Sequence, residues 1–150
     1  MKITVIEDRG VAPGEIEVRV QSRDEPIEQI IYLIQKGYET IEGIKEGTVH
    51  QVRISSVLYF ESVESRTYAY TDTAVYQCRK RLYELEELLI RTPFLRISKS
   101  CIVNTAAITH TKAQFNGRLL IQLQNEEKLL VSKHYIKGFR EKMMTKEEGI

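Results

Sequence analysis

The sequence predicts a mostly β protein with small helices, its strands antiparallel, preceded by a short β-β-α extension. Three observations carry that expectation. From Thr48 onward apolar residues recur with period two in short stretches separated by turn residues. Asn116-Gly117, a pair that accepts the positive φ of a two-residue hairpin turn, stands between two such stretches. Helical periodicity is confined to residues 24–37, 79–91 and the region after Ser132. With 150 residues and 42% hydrophobic content, the chain can bury a core as one compact domain with a short extension.

Taken in order, Lys2–Ile6 and Glu15–Gln21 read as two strands separated by the turn-prone Gly10–Gly14. Asp24 is placed to cap a helix with Pro26 and Glu28 in its first turn, and Ile27, Ile30, Ile31 and Ile34 line one helical face before Gly37 ends it. A meander follows, with Val49, Val52 and Ile54, then Val57–Phe60, Arg66–Thr71 and Ala74–Cys78. Leu82, Leu85, Leu88 and Leu89 share a face of a helix over Arg79–Arg91, which Pro93 prevents from continuing. The rest alternates again over Phe94–Ser98, Cys101–Asn104, Ala107–Gln114, Arg118–Gln124 and Lys128–Val131. Ser132 then caps a last helix whose apolar stripe is Tyr135, Ile136, Phe139 and Met143, leaving Lys133, Lys137, Arg140 and Lys142 to water.

The net charge of +1 gives no reason to expect a nucleic acid, but its distribution does. Residues 1–47 hold 6 basic and 10 acidic residues, whereas residues 94–142 hold 9 and 3. No apolar run approaches the length of a membrane span and no signal-peptide pattern opens the chain, so a soluble, cytoplasmic protein is expected. Cys78 and Cys101 are too far apart for a metal knuckle and are expected to be reduced and buried. His50, His110 and His134 lie in separate segments without metal spacing, and no glycine-rich phosphate loop is present. Neither an enzyme nor a cofactor is expected.

Leu58-Tyr59-Phe60-Glu61, Thr67-Tyr68-Ala69-Tyr70-Thr71, the Leu82–Leu89 stretch, Phe94-Leu95-Arg96-Ile97-Ser98-Lys99-Ser100, Ile102-Val103-Asn104 and Leu130-Val131-Ser132-Lys133 with Tyr135 occur in one order and spacing. Together they resemble the LytTR family of bacterial DNA-binding domains, over residues 48 to about 142. The resemblance implies an elongated antiparallel β fold that binds double-stranded DNA through loops and turns set into successive major grooves of promoter direct repeats. It divides the chain into a β-β-α extension over 1–47, a candidate dimer or partner surface, and a LytTR-type domain over 48–145. Because 47 residues are too few for the receiver domain that usually precedes this module, it implies a stand-alone transcriptional regulator. Some such members are encoded beside small membrane proteins that restrain them, which adds a regulatory membrane protein to the candidate partners.

Residue by residue, the resemblance places the DNA-facing loop on Ser62–Thr67, with Ser65, Arg66 and Thr67 as contacts. It places a basic position on Lys99, flanked by Ser98 and Ser100, and another on Lys133 with His134 beside it. Independently, Lys99 lies where two apolar runs meet, at a bend, and Lys133 opens a helix whose free amides can hold a phosphate. Arg96, on the same strand as Lys99, is expected to serve the sheet. The chain departs from the family at Ser62-Val63-Glu64-Ser65, which brings a carboxylate and no glycine, and at Cys101, where an aromatic is usual. Glu64 and the acidic extension favour the alternative, an interaction or sensory module on this fold that has lost DNA binding.

Overall fold

The computed structural model describes residues 2–37 and 39–148, and their side chains except at 36, 37 and 144–148. Helix α1 (Glu25–Gly37) is followed by strands β1 (Thr40–Lys45), β2 (Thr48–Arg53), β3 (Tyr59–Val63), β4 (Arg66–Tyr70) and β5 (Val75–Cys78). Helix α2 (Leu82–Leu88), β6 (Phe94–Ser98), β7 (Cys101–Asn104), β8 (Ile108–Ala113), β9 (Leu119–Leu123), β10 (Lys128–Val131) and α3 (Lys133–Glu148) complete the chain. Strands pair antiparallel in a seven-stranded sheet, β2-β1-β5-β4-β3-β7-β6, and a three-stranded sheet, β10-β9-β8. The mostly β class expected from periodicity is the class found.

Both faces of the central strands are covered. Phe60, Ala69, Cys78 and Ile102 bury one face against Leu82, Leu85 and Leu89 around α2. Tyr59, Cys101 and Val103 bury the other against Leu119, Ile121 and Leu123 of the small sheet and Phe139 of α3. Alternation along each strand sends successive side chains to these two cores. Tyr59 stacks on Tyr70 across the β3–β4 pair with centroids 4.3 Å apart. At one edge of the large sheet, α3 runs along β6 from end to end: the Ser132 amide donates to Ile97 O at 2.9 Å, and Lys142 Nζ donates to Thr92 O at 2.6 Å and Phe94 O at 3.0 Å.

Several expectations change. Lys142 does not stand in water; burial lowers its pKa, and its ammonium closes the carbonyls at the start of β6. The α2 helix is shorter than Arg79–Arg91, starting where Glu84 accepts from the Arg81 amide at 3.1 Å and ending before the left-handed Arg91. Strand β1 was not foreseen: Glu46 and Gly47, with φ of 51° and 76°, turn it onto β2. The stretches 2–6 and 15–21 enter no strand ladder among the described residues, since neither finds a neighbouring strand edge in this chain, and Ile3, Val5, Ile6, Ile16 and Val18 stay exposed. Helix α1 does begin at the Asp24 cap, whose Oδ1 accepts from the Ile27 amide at 3.1 Å. Its four isoleucines are half-buried near the Ile54–Ser56 turn, and residue 38, beyond its Gly37 end, lies outside the described residues.

Candidate nucleic-acid interface

Three chain turns and the start of α3 are linked in a row: main-chain hydrogen bonds join the β3–β4 hairpin to the Ser98–Cys101 turn and the start of α3 to β6, and the β8–β9 turn lies against the Lys133 side chain. The first is the β3–β4 hairpin, in which Val63 faces Arg66 across a two-residue turn of Glu64 and Ser65. Both turn residues are left-handed, with φ of 50° and 66°, the geometry that matches strand twist but that side chains resist. The Ser62 amide donates to Ser100 O at 2.8 Å, fixing this hairpin against the second turn, Ser98–Cys101.

Lys99 forms the exposed tip of that second turn. The Ser98 hydroxyl accepts from the Ser100 amide at 3.2 Å, closing the bend from within. From beneath, Arg96 donates through Nε to Ser98 O at 3.0 Å and through its other nitrogen to Lys99 O, while facing Glu86 of α2 at 3.6 Å. Arg96 therefore serves the sheet, as expected, and its fork prevents the turn carbonyls from pointing freely at a ligand.

The third element is the start of α3. It is tied to β6 through Ser132 and Ile97, two residues before Ser98, and it exposes Lys133 and His134. The fourth is the β8–β9 turn. Asn116-Gly117 does join antiparallel strands, but as part of a three-residue loop: Gly117 donates to Gln114 O at 3.3 Å and the Gln114 amide donates to Arg118 O at 2.9 Å. Only Gly117 is left-handed, at φ 76°, because Phe115 takes one of the bend positions. A methyl group on Gly117 would stand 2.7 Å from Lys133 Cε, so the bare glycine leaves the track along which the lysine stem lies.

The chain thus brings Ser65, Arg66, Ser98, Lys99, Ser100, Lys133 and His134 to one rim. Thr67 does not join them: it is 5% exposed, paired between Ser62 and Cys78, and its side chain is enclosed by the sheet. Phe115, fully exposed in the same turn as Gly117, was passed over in the sequence, where it falls between the expected strands Ala107–Gln114 and Arg118–Gln124. Behind the rim, Cys101 is a poor nucleophile, its thiol pushed up to about 12 by burial and by Glu61, with Arg96 opposing. Among the described residues no group of three His, Cys, Asp or Glu is placed to hold a metal, and no helix is long and apolar enough to cross a membrane.

A two-layer antiparallel β scaffold here carries exposed cations on two turns and at a helix start, an arrangement of charge suited to a polyanion. The family model of the LytTr DNA-binding domain matches residues 47–144, and the chain belongs to that family. A solved LytTr DNA-binding domain from Bacillus cereus superposes with a TM-score of 0.67 at 26% identity, covering 71% of this chain and 98% of that one. Relatives from Staphylococcus aureus strains bovine RF122 / ET3-1 and NCTC 8325 / PS 47, each named an uncharacterized HTH-type transcriptional regulator, are 26% identical over 145 residues, spanning 95% of this chain and 98% of theirs. Their name speaks of a helix-turn-helix, whereas the matched region here separates its two helices, α2 and α3, by the strands β6 to β10.

Proposed function

We propose that the chain is a sequence-specific transcriptional regulator whose tied turns enter successive major grooves at promoter direct repeats. The observation that supports this reading most directly is the Ser62–Ser100 hydrogen bond, which holds the Arg66 hairpin and the Lys99 turn as one rigid edge. Rigid spacing lets loops read DNA without first paying an ordering entropy. Arg66 offers a fork suited to guanine or phosphate; Lys99 and Lys133 offer point charges; Ser65, Ser100 and His134 supply short hydrogen bonds to phosphate oxygens. Phe115 adds an apolar surface of the kind that meets a thymine methyl. Thr67 has a supporting part, packing the base of the hairpin.

The test is fluorescence anisotropy with fragments selected from the source genome, repeated across salt concentrations. If three to six phosphates are neutralised per module, log affinity falls against log salt with a slope of roughly −3 to −5. A slope near zero, or equal affinity for selected and scrambled fragments, overturns the reading.

A further inference from the structure

Residues 15–21 read Glu-Ile-Glu-Val-Arg-Val-Gln, and about Val18 this string is its own complement. We propose that two copies of the chain pair antiparallel through residues 15–21, with a two-fold axis at Val18. In that register Glu17 lies opposite Arg19 of the second copy and Arg19 opposite its Glu17. Ile16 faces Val20, and Val18 faces Val18. Opposite charges and aliphatic pairs placed directly across an antiparallel ladder favour it, and a two-fold interface uses each such pair twice.

The isolated chain shows the halves of this interface waiting. Residues 15–21 enter no ladder among the described residues, and Ile16, Val18 and Val20 are 62%, 48% and 39% exposed. Arg19 Nε reaches Glu17 Oε1 of its own chain at 2.9 Å, which puts both charges on one side of an extended segment and the three aliphatics on the other. An unpaired strand with one apolar face is a template for another strand. Among the other sheet edges, β2, β8 and β10 carry no carboxylate in their own strands to meet Arg19, and β6 lies against α3.

A two-stranded ribbon alone is marginal in water. Here each copy brings a second exposed segment, with Ile3, Val5 and Ile6, joined to the first through turns in which Val11 donates to Asp8 O at 3.2 Å and Glu15 to Ala12 O at 3.0 Å. Helix α1 follows three residues after Gln21 and carries half-buried isoleucines able to cover the apolar face. The unit is therefore a four-segment sheet from two chains, roofed by two helices.

The full chain, examined by light scattering after size exclusion at tens of micromolar, is expected at twice its 17.4 kDa mass. Glu17→Arg alone and Arg19→Glu alone each set like charges face to face at two positions and should weaken association about tenfold or more. Mixing the two variants restores opposite charges at both positions and should regenerate a heterodimer, a rescue that a merely local fold defect would not give. A monomeric wild-type chain, single variants that associate as tightly as wild type, or a mixture that stays monomeric would each overturn the pairing. Both variants keep the Arg66, Lys99 and Lys133 turns, so retained binding to a single half-site separates failure here from failure of the DNA reading.

Discussion

The Arg96 guanidinium holds the carbonyl of Lys99, so the residue that presents the candidate DNA-binding ammonium is positioned by a cation that makes no use of its own charge outside the fold. Arg96 also takes Ser98 O and faces Glu86, and its side chain is 21% exposed. Two substitutions on one strand should therefore fail differently. Arg96→Ala leaves two turn carbonyls without their charged donor and should cost about 1–3 kcal/mol of stability in a thermal or urea melt. Lys99→Ala should leave stability within about 0.5 kcal/mol but shallow the salt slope of DNA binding by about 0.9. If Lys99→Ala leaves the slope unchanged, Lys99 does not meet phosphate.

Gly117 governs a second cation from a distance. Its φ of 76° makes Gly117→Ala strained at about 1 kcal/mol, and the added methyl displaces the Lys133 stem it would otherwise touch at 2.7 Å. The steric part is cheap because the stem is flexible. Titration of selected fragments should show affinity falling by nearly as much as in Lys133→Ala. Full affinity in Gly117→Ala would show that the lysine does not need its track.

Most strands of the two sheets were legible because alternation and burial agree: Tyr59, Phe60 and Ile102, Val103 each send neighbours to opposite cores. The exposed positions of Lys99, at a bend, and Lys133, at a helix start, were legible from the local pattern, whereas the motif order alone marked them out from other lysines on polar faces. Thr67 misled because register, which a one-residue step reverses, decides whether a hairpin residue faces out. The Lys142 contacts were hidden for another reason: a lysine at a polar helical position can bend its stem back to carbonyls about 50 residues earlier, a tertiary fact. Strand β1 was missed because Gly43 holds the buried position after Ile41, so its two isoleucines, Ile41 and Ile44, fall three apart and break the alternation.

Lys142→Met tests the tertiary clamp at the far end of α3. Methionine keeps much of the stem but abandons Thr92 O and Phe94 O, so unfolding should become easier by about 1–3 kcal/mol. DNA affinity per folded molecule should not change, because this end of the helix lies away from the rim. An unchanged melting temperature would mean water replaces the ammonium without loss.

The two thiols give a pH dependence with a definite sign. Burial pushes Cys78 up to about 11 and Cys101 up to about 12, whereas an unfolded thiol ionises near about 8.5. A folded value above the unfolded one means the stabilising contribution is complete below about pH 8.5 and is lost as pH rises toward the folded values. Melting temperature should therefore decline through that window, and less steeply in Cys101→Val. At pH 8 the native chain should react with a thiol reagent far more slowly than the urea-unfolded chain; equal rates would show that the sulfurs are not enclosed.

Glu64 and Ser65 concentrate two costs at one hairpin tip. Both are left-handed without being glycine or asparagine, and Glu64 sets a carboxylate beside the position assigned to DNA. Ser65→Gly should relieve the backbone and raise stability by about 1 kcal/mol, since glycine carries no Cβ penalty there. Glu64→Gln leaves the backbone requirement alone and removes only the charge. If the hairpin approaches phosphates, this variant should bind several-fold tighter at low salt, and the gain should shrink as screening grows. If the hairpin faces away, Glu64→Gln should bind as wild type at every salt concentration, and Arg66 would lose its place among the contacts. The two substitutions together also ask whether the strained turn is needed: tighter binding by Glu64→Gln that is lost when Ser65→Gly is added would mean that the rigid left-handed pair, rather than its charge, sets the approach of Arg66 to the groove.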